Sequence, residues 1–67
     1  MTLGQRILYL RKKLNMSQDK VADASGISRV MISYYENDKR EPSLINAMCL
    51  ADALGVSLEY LARGEDR

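Results

Sequence analysis

The sequence predicts an all-α fold of five short helices. Apolar residues recur at intervals of three and four along five segments, which is the spacing of a helix that buries one face. A serine or threonine stands at the start of every segment, where its side chain can accept a hydrogen bond from an unpaired backbone amide. A glycine follows three of the segments, as is typical of helix C-termini.

The composition describes one small globular domain and excludes several functions. The chain has 67 residues, of which 46% are apolar and 28% charged, an ordinary globular balance. A single cysteine rules out an internal disulfide, and the lack of histidine removes the commonest metal ligand and general base. We therefore expect no enzyme activity, metal site, cofactor or small-molecule ligand. No apolar run approaches the roughly 20 residues that span a bilayer, so we expect a cytoplasmic protein.

The segment boundaries follow from capping residues and apolar pairs. The first segment covers residues 2–14, and Thr2 with Gln5 fits a capping box. Ser17 and Ser28 open the second and third segments, Pro42-Ser43 precedes the fourth, and Ser57 opens the fifth. The expected terminal glycines are Gly26, Gly55 and Gly64. Hydrophobic staples are expected from Met16 to Val21, Ile27 to Ile32, and Val56 to Leu61.

The end of the chain is polar. Residues 64–67 read Gly-Glu-Asp-Arg, and we expect a frayed end or the beginning of a linker there. The whole of 1–67 is accordingly predicted to be one domain.

The second and third segments predict a helix-turn-helix. Residues 17–37 hold a helix of about eight residues, a turn at Gly26 and a helix of about nine. Winding residues 28–37 at 100° per residue divides them into two sides. The side expected to face the core carries Met31, Ile32 and Tyr35. The side expected to face solvent carries Arg29, Val30, Ser33, Tyr34 and Asn37.

The outward side has the chemistry of a helix that enters the major groove of DNA. It combines a guanidinium, a hydroxyl, a phenol, an amide and one branched apolar group. Guanine and phosphate accept hydrogen bonds from such donors, and the thymine methyl group packs against an apolar side chain. We therefore expect Arg29, Val30, Ser33 and Tyr34 to contact bases. A phosphate is the alternative partner for Arg29, and the sugar-phosphate backbone is the alternative for Ser33 and Tyr34.

Motifs along most of the chain resemble those of one known family. From about Leu3 to Gly64 they are Arg11-Lys12-Lys13, Met16-Ser17-Gln18, Gly26-Ile27-Ser28, Ile32-Ser33, Tyr35-Glu36-Asn37, Pro42-Ser43-Leu44 and the run from Ala53 to Leu61. Together they are similar to the helix-turn-helix domain of lambdoid phage repressors and Cro proteins, the Xre family. The resemblance implies a five-helix, lambda-repressor-like DNA-binding domain with its helix-turn-helix at the second and third helices.

The resemblance also implies roles for particular residues. Gln18 is expected to contact a phosphate and brace the recognition helix, while Arg11 and Glu36 form a structural ion pair. Leu58 and Tyr60 lie in the region that supplies the dimer contact of such repressors. They are candidates for that contact, and packing in the core is the alternative. The full set of expected phosphate contacts is Ser17, Gln18, Ser28, Asn37, Lys39 and Arg40.

Three residues depart from the family pattern. Asp38 stands where the family usually has glycine, a position that needs a positive φ, and its charge lies where a phosphate would pass. Tyr34 is bulky for a side chain that faces a groove. Met31 is larger than the small residue that the family often has at this position.

The charge distribution is compatible with DNA binding but is not specific to it. The net charge is +1; residues 1–42 carry eight basic and five acidic side chains, whereas residues 43–67 carry two and four. Such a modest positive surface implies weak non-specific binding, so we expect two copies to share one site.

The sequence therefore predicts a transcriptional regulator, most simply a phage or prophage repressor that binds a near-palindromic DNA site as a dimer. An antitoxin or a restriction–modification controller of the same fold is an alternative. A helical module that binds another protein, without DNA, is an alternative of a different class.

Overall fold

The chain forms the five helices that the sequence predicts. The computed structural model describes residues 1–64, and none of these lies in a β-strand. Of the polar end, Gly64 is within this range and residues 65–67 lie outside it. The helices are α1 (Leu3–Lys13), α2 (Gln18–Ser25), α3 (Arg29–Glu36), α4 (Leu44–Leu54) and α5 (Leu58–Arg63).

Every helix begins at the hydroxyl residue that precedes it. Each hydroxyl accepts a hydrogen bond from the backbone amide three residues later, which pairs one of the amides that a helix start leaves unpaired. Thr2 and Gln5 form the reciprocal capping box, with hydrogen bonds of 2.9 and 3.0 Å. The five N-cap residues are Thr2, Ser17, Ser28, Ser43 and Ser57.

The core takes one completely buried aliphatic side chain from each helix. In chain order these are Ile7, Val21, Ile32, Leu50 and Leu61. Helix α1 packs against α3, α4 and α5, while α2 packs against α3 and α4. The helix-turn-helix is therefore fastened to the rest of the bundle through both of its members. No helix within residues 1–64 has the length and apolar character needed to cross a bilayer.

The buried side chain of Arg6 connects the first helix to the last. Arg6 is 9% exposed, and its guanidinium donates hydrogen bonds to the carbonyls of Leu61, Ala62 and Met1, at 2.7, 3.3 and 3.2 Å. A cation at the carbonyl end of a helix is favourable, because unpaired carbonyls carry partial negative charge there. Arg6 thereby joins α1 to the end of α5.

Glu36 connects three helices at the end of α3. Its carboxylate accepts two hydrogen bonds from Arg11, at 2.7 and 3.0 Å, and one of 2.9 Å from the Gln18 amide. The two charged side chains are only 12% and 3% exposed. The hydrogen bond to Glu36 raises the pKa of Arg11 above its ordinary value despite the opposing effect of burial. Arginine is a cation at any working pH, so the Arg11–Glu36 pair fixes α3 against α1, and the Gln18 hydrogen bond fixes it against α2.

Gly4 lets α1 approach the end of α3. A Cβ atom at this position would overlap the Tyr35 carbonyl oxygen and would lie 2.8 Å from an Asp38 carboxylate oxygen. Backbone atoms cannot give way as the tip of a flexible side chain can. Only glycine is compatible with this approach.

We predict that Gly4→Ala destabilises the domain by about 3 kcal/mol, because the added methyl group forces α1 away from α3. The loss is measured as a shift in the urea midpoint of unfolding, with the slope of the unfolding free energy against urea concentration unchanged. Gly26→Ala is the matched comparison. Gly26 has open space around it but a φ of 76°, and its loss is expected to be about 1 kcal/mol. Equal losses for the two variants would contradict the close approach at Gly4.

We predict that Glu36→Gln lowers the free energy of unfolding by about 3 kcal/mol, because it leaves the Arg11 cation half-buried without its counter-ion. Chemical denaturation provides the measurement. Glu59→Gln, which removes the exposed Glu59–Arg63 pair, serves as the control and is expected to lower it by less than about 1 kcal/mol. A Glu36→Gln loss no larger than that of Glu59→Gln would show that the buried pair does not fix the helices.

Candidate nucleic-acid interface

Helix α3 turns a polar side to solvent. Ile32 and Tyr35 are buried and Met31 is half-buried. The side of α3 that faces the core is therefore the side predicted from the sequence. On the outward side, Val30 is 54% and Tyr34 is 40% exposed. Arg29 and Asn37 are exposed as well, and Ser33 is half-buried. The structure therefore brings the expected base contacts together on one accessible face.

The outward face is most open at the start of α3. Arg29 and Val30 are the first two residues of the helix, directly after the Ser28 N-cap. The Ser28 hydroxyl accepts from the Met31 amide at 3.1 Å and retains its own proton for a further acceptor. At the other end of α3, the side-chain amide of Asn37 donates a hydrogen bond of 2.8 Å to the Ser33 carbonyl. One expected phosphate contact, Asn37, therefore already serves the end of α3.

The start of α2 faces the end of α3. The Gln18 amide donates to Glu36, so Gln18 braces α3 in the way that the family resemblance implied. Only part of the donor capacity of this amide remains for another partner. The Ser17 hydroxyl caps α2 through the Lys20 amide at 3.0 Å and still has its own proton to donate. Backbone amides of the first turn add a partial positive charge.

The loop after α3 contains two acidic side chains, Asp38 and Glu41, and the first of them is held at the start of α1. Asp38 has a φ of 59°, and the amides of Asp38 and Lys39 donate to the carbonyls of Tyr35 and Tyr34, which is a Schellman ending. The Asp38 carboxylate accepts a hydrogen bond of 2.7 Å from the Thr2 hydroxyl. The charge is thus held at the start of α1, where a helix favours an anion. Lys39 and Arg40 are exposed.

An ion pair across the helix-turn-helix was missed by the sequence analysis. The Arg29 Nε atom lies 3.3 Å from an Asp19 carboxylate oxygen, with the two side chains 56% and 79% exposed. Asp19 belongs to the first turn of α2 and Arg29 opens α3. Ten residues separate them, and no local periodicity joins positions in two different helices.

Two apolar surfaces lie on the other helices. Leu58 and Tyr60 are half-buried and pack against the core. Tyr60 also borders a shallow groove with Leu14 and Val56. No sequence pattern pointed to the start of α4, where three large apolar side chains are strongly exposed. These are Leu44, Ile45 and Met48, at 67%, 65% and 46%.

Comparison with known proteins places this architecture in a family. A helix-turn-helix family profile matches residues 7–61. The chain is 38% identical over 63 residues to the repressor protein C2 of Salmonella phage P22. The matched region is 94% of this chain and 29% of that protein. It is 35% identical over 66 residues to the immunity repressor protein of Bacillus phage phi105, covering 98% of this chain and 45% of the relative. The chain thus spans less than half of these relatives.

Solved structures agree with the sequence relationships. The P22 c2 repressor in complex with a synthetic operator superimposes with a TM-score of 0.89 at 37% identity, covering 97% of this chain and 98% of that chain. The restriction–modification controller protein C.AhdI of Aeromonas hydrophila gives 0.85 at 36% identity, covering 88% and 89%. Profile, identity and architecture agree, and the chain belongs to the Xre-type helix-turn-helix family.

Proposed function

We propose that this chain binds double-stranded DNA sequence-specifically and regulates transcription, acting as a repressor of the phage or prophage type. The observation that carries the proposal is the accessible polar face of α3, held in place by the Glu36 network. Support comes from the P22 c2 relative, whose structure was solved on an operator. Occupying a promoter is sufficient for repression and needs no enzymatic chemistry. The site of action is the cytoplasm of a bacterial or phage-infected cell, at its DNA.

In this proposal the first turn of α3 contacts bases in the major groove. The two terminal nitrogens of Arg29 match the O6 and N7 acceptors of guanine, a pairing that discriminates by about 1–3 kcal/mol. Val30 packs against thymine methyl groups because it offers an exposed branched apolar surface. Ser33 and Tyr34 follow one turn further along the same face.

Phosphate contacts flank that groove. The start of α2 supplies backbone amides together with Ser17 and Gln18, and Ser28 adds the hydroxyl before α3. Lys39 and Arg40 approach the backbone from the loop after α3, with Asn37 beside them. The Asp38 carboxylate accepts its hydrogen bond from Thr2 at the start of α1, which leaves Lys39 and Arg40 as the side chains of this loop that attract a phosphate.

The same proposal includes a homodimer on DNA. One copy has a net charge of only +1, so a single domain neutralises few phosphates and binds weakly. A two-fold dimer doubles the contacts and reads half-sites about 34–36 Å apart. Leu58 and Tyr60 are the proposed contact residues, and the exposed apolar start of α4 offers additional surface of the type that interfaces bury.

A second candidate function is control of a restriction–modification system. The likeness to C.AhdI favours it, and it uses the same DNA-binding face. The genes next to the recovered binding sites distinguish the two. A repressor of the phage type acts at phage promoters, whereas a controller acts at promoters of a restriction enzyme or methyltransferase.

We predict that Arg29→Ala lowers the preference for the chosen site over random duplex DNA by about tenfold or more. The experiment first selects a preferred duplex from a random pool with the wild-type protein. Titration by fluorescence anisotropy then compares both proteins on that duplex and on random DNA. Equal losses on the two DNAs would identify Arg29 as a phosphate contact instead.

Lys39→Ala is the matched control for that experiment. Loss of a phosphate contact weakens all duplexes alike and lowers the slope of log affinity against log salt by about 0.9. An unchanged slope would remove Lys39 from the interface. Failure of the wild-type protein to select any duplex, at low salt and high concentration, would contradict the proposed function itself.

We predict that two copies bind one near-palindromic duplex cooperatively and that inserting about five base pairs between the half-sites abolishes the cooperativity. This insertion turns one half-site by about half a helical turn, to the opposite face of the DNA. Sedimentation of the protein with each duplex gives the stoichiometry. Equally tight two-copy binding to both duplexes would contradict a rigid dimer on DNA.

A further inference from the structure

The pair formed by Asp19 and Arg29 has no evident role in holding the fold together. Both side chains are mostly in water, at 79% and 56% exposed. Exposed ion pairs of this kind contribute little to stability, since water competes for both charges. We therefore expect the pair to affect the contacts that the Arg29 guanidinium makes at the surface of α3.

The geometry of the pair determines which part of Arg29 remains available. The carboxylate lies 3.3 Å from Nε, on the side of the guanidinium nearest its own stem. A guanidinium is planar and has five N–H donors in a fixed arrangement. Nε is the guanidinium nitrogen that lies next to Asp19, so the two terminal nitrogens are left as a fork at the end of the side chain. That fork is the part that pairs with the O6 and N7 atoms of guanine.

The charge of Asp19 distinguishes between the two partners that Arg29 meets on DNA. A phosphate is an anion, and a second anion beside the same guanidinium repels it. The edge of a guanine is neutral, so the carboxylate does not oppose a contact there. Asp19 is itself stabilised where it lies, because it belongs to the first turn of α2, where the helix favours a negative charge.

We propose that Asp19 is a positioning residue for base recognition: it orients the Arg29 fork toward a base and disfavours its use on phosphate. This inference rests on the proposed function and deepens it by assigning specificity to a residue outside α3. It also gives Asp19 a negative effect on non-specific binding. In its absence Arg29 is available to any phosphate along the backbone.

The test compares Asp19→Asn with Asp23→Asn. Asp23 is exposed on the same helix, and no ion pair joins it to another residue in the part of the chain that the structure describes. Both variants remove one negative charge from α2. The probes are the duplex selected by the wild-type protein, a random duplex, and four duplexes that differ only at the base pair whose preference Arg29→Ala abolishes.

Asp19→Asn is expected to reduce the preference at that base pair by about tenfold, corresponding to the low end of an arginine–guanine contact. It is also expected to bind random DNA more tightly, with a salt slope steeper by about 0.9 because Arg29 now neutralises a phosphate. Asp23→Asn is expected to leave the base preference unchanged. Urea midpoints for both variants check that the fold is retained.

Combining Asp19→Asn with Arg29→Ala decides whether Asp19 acts through Arg29. The inference requires that Asp19→Asn has no further effect on base preference once Arg29 is gone. An effect of equal size in both backgrounds, or the same behaviour for Asp19→Asn and Asp23→Asn, would overturn it and leave the proposed function intact. If Arg29→Ala alters no base preference, base recognition by Arg29 fails and this inference fails with it.

Discussion

The buried carboxylate of Glu36 is the interaction on which the remaining architecture depends. It closes α3 and accepts hydrogen bonds from Arg11 at the end of α1 and Gln18 at the start of α2. A carboxylate removed from water is tolerated only when its oxygens are paired, so an arrangement that keeps Glu36 buried but separates it from Arg11 and Gln18 leaves an unpaired charge in the interior. The contribution of the pair is therefore to geometry more than to net stability.

That geometry selects the side of α3 that meets solvent. With one end of the helix anchored through Glu36 and its middle anchored by the fully buried Ile32, the rotation of α3 about its axis is fixed. Arg29 and Val30 then have no place in the core and remain at the surface. Gly4 permits the close approach of α1 that this arrangement needs. The accessible face is thus set by contacts on the opposite face.

Local features of the chain were predictable from the sequence, and contacts between helices mostly were not. Hydroxyl caps and terminal glycines act within one turn of their own helix, so their pattern is visible in the sequence. The sequence likewise anticipated a positive φ at Asp38, but not that its carboxylate reaches Thr2, because that depends on where α1 lies. The Arg11–Glu36 pair was implied only by family resemblance. Arg6 and the Asp19–Arg29 pair followed from no linear pattern.

The distribution of the core among the helices has a consequence for how the domain opens. Since every helix supplies one wholly enclosed aliphatic side chain, detaching any helix exposes a hole at the centre that the other four line. Because the core is shared in this way, we expect the five helices to unfold together in one cooperative step, as small single domains usually do. The exposed face of α3 is part of this cooperative unit, so it is expected to persist for as long as the protein is folded.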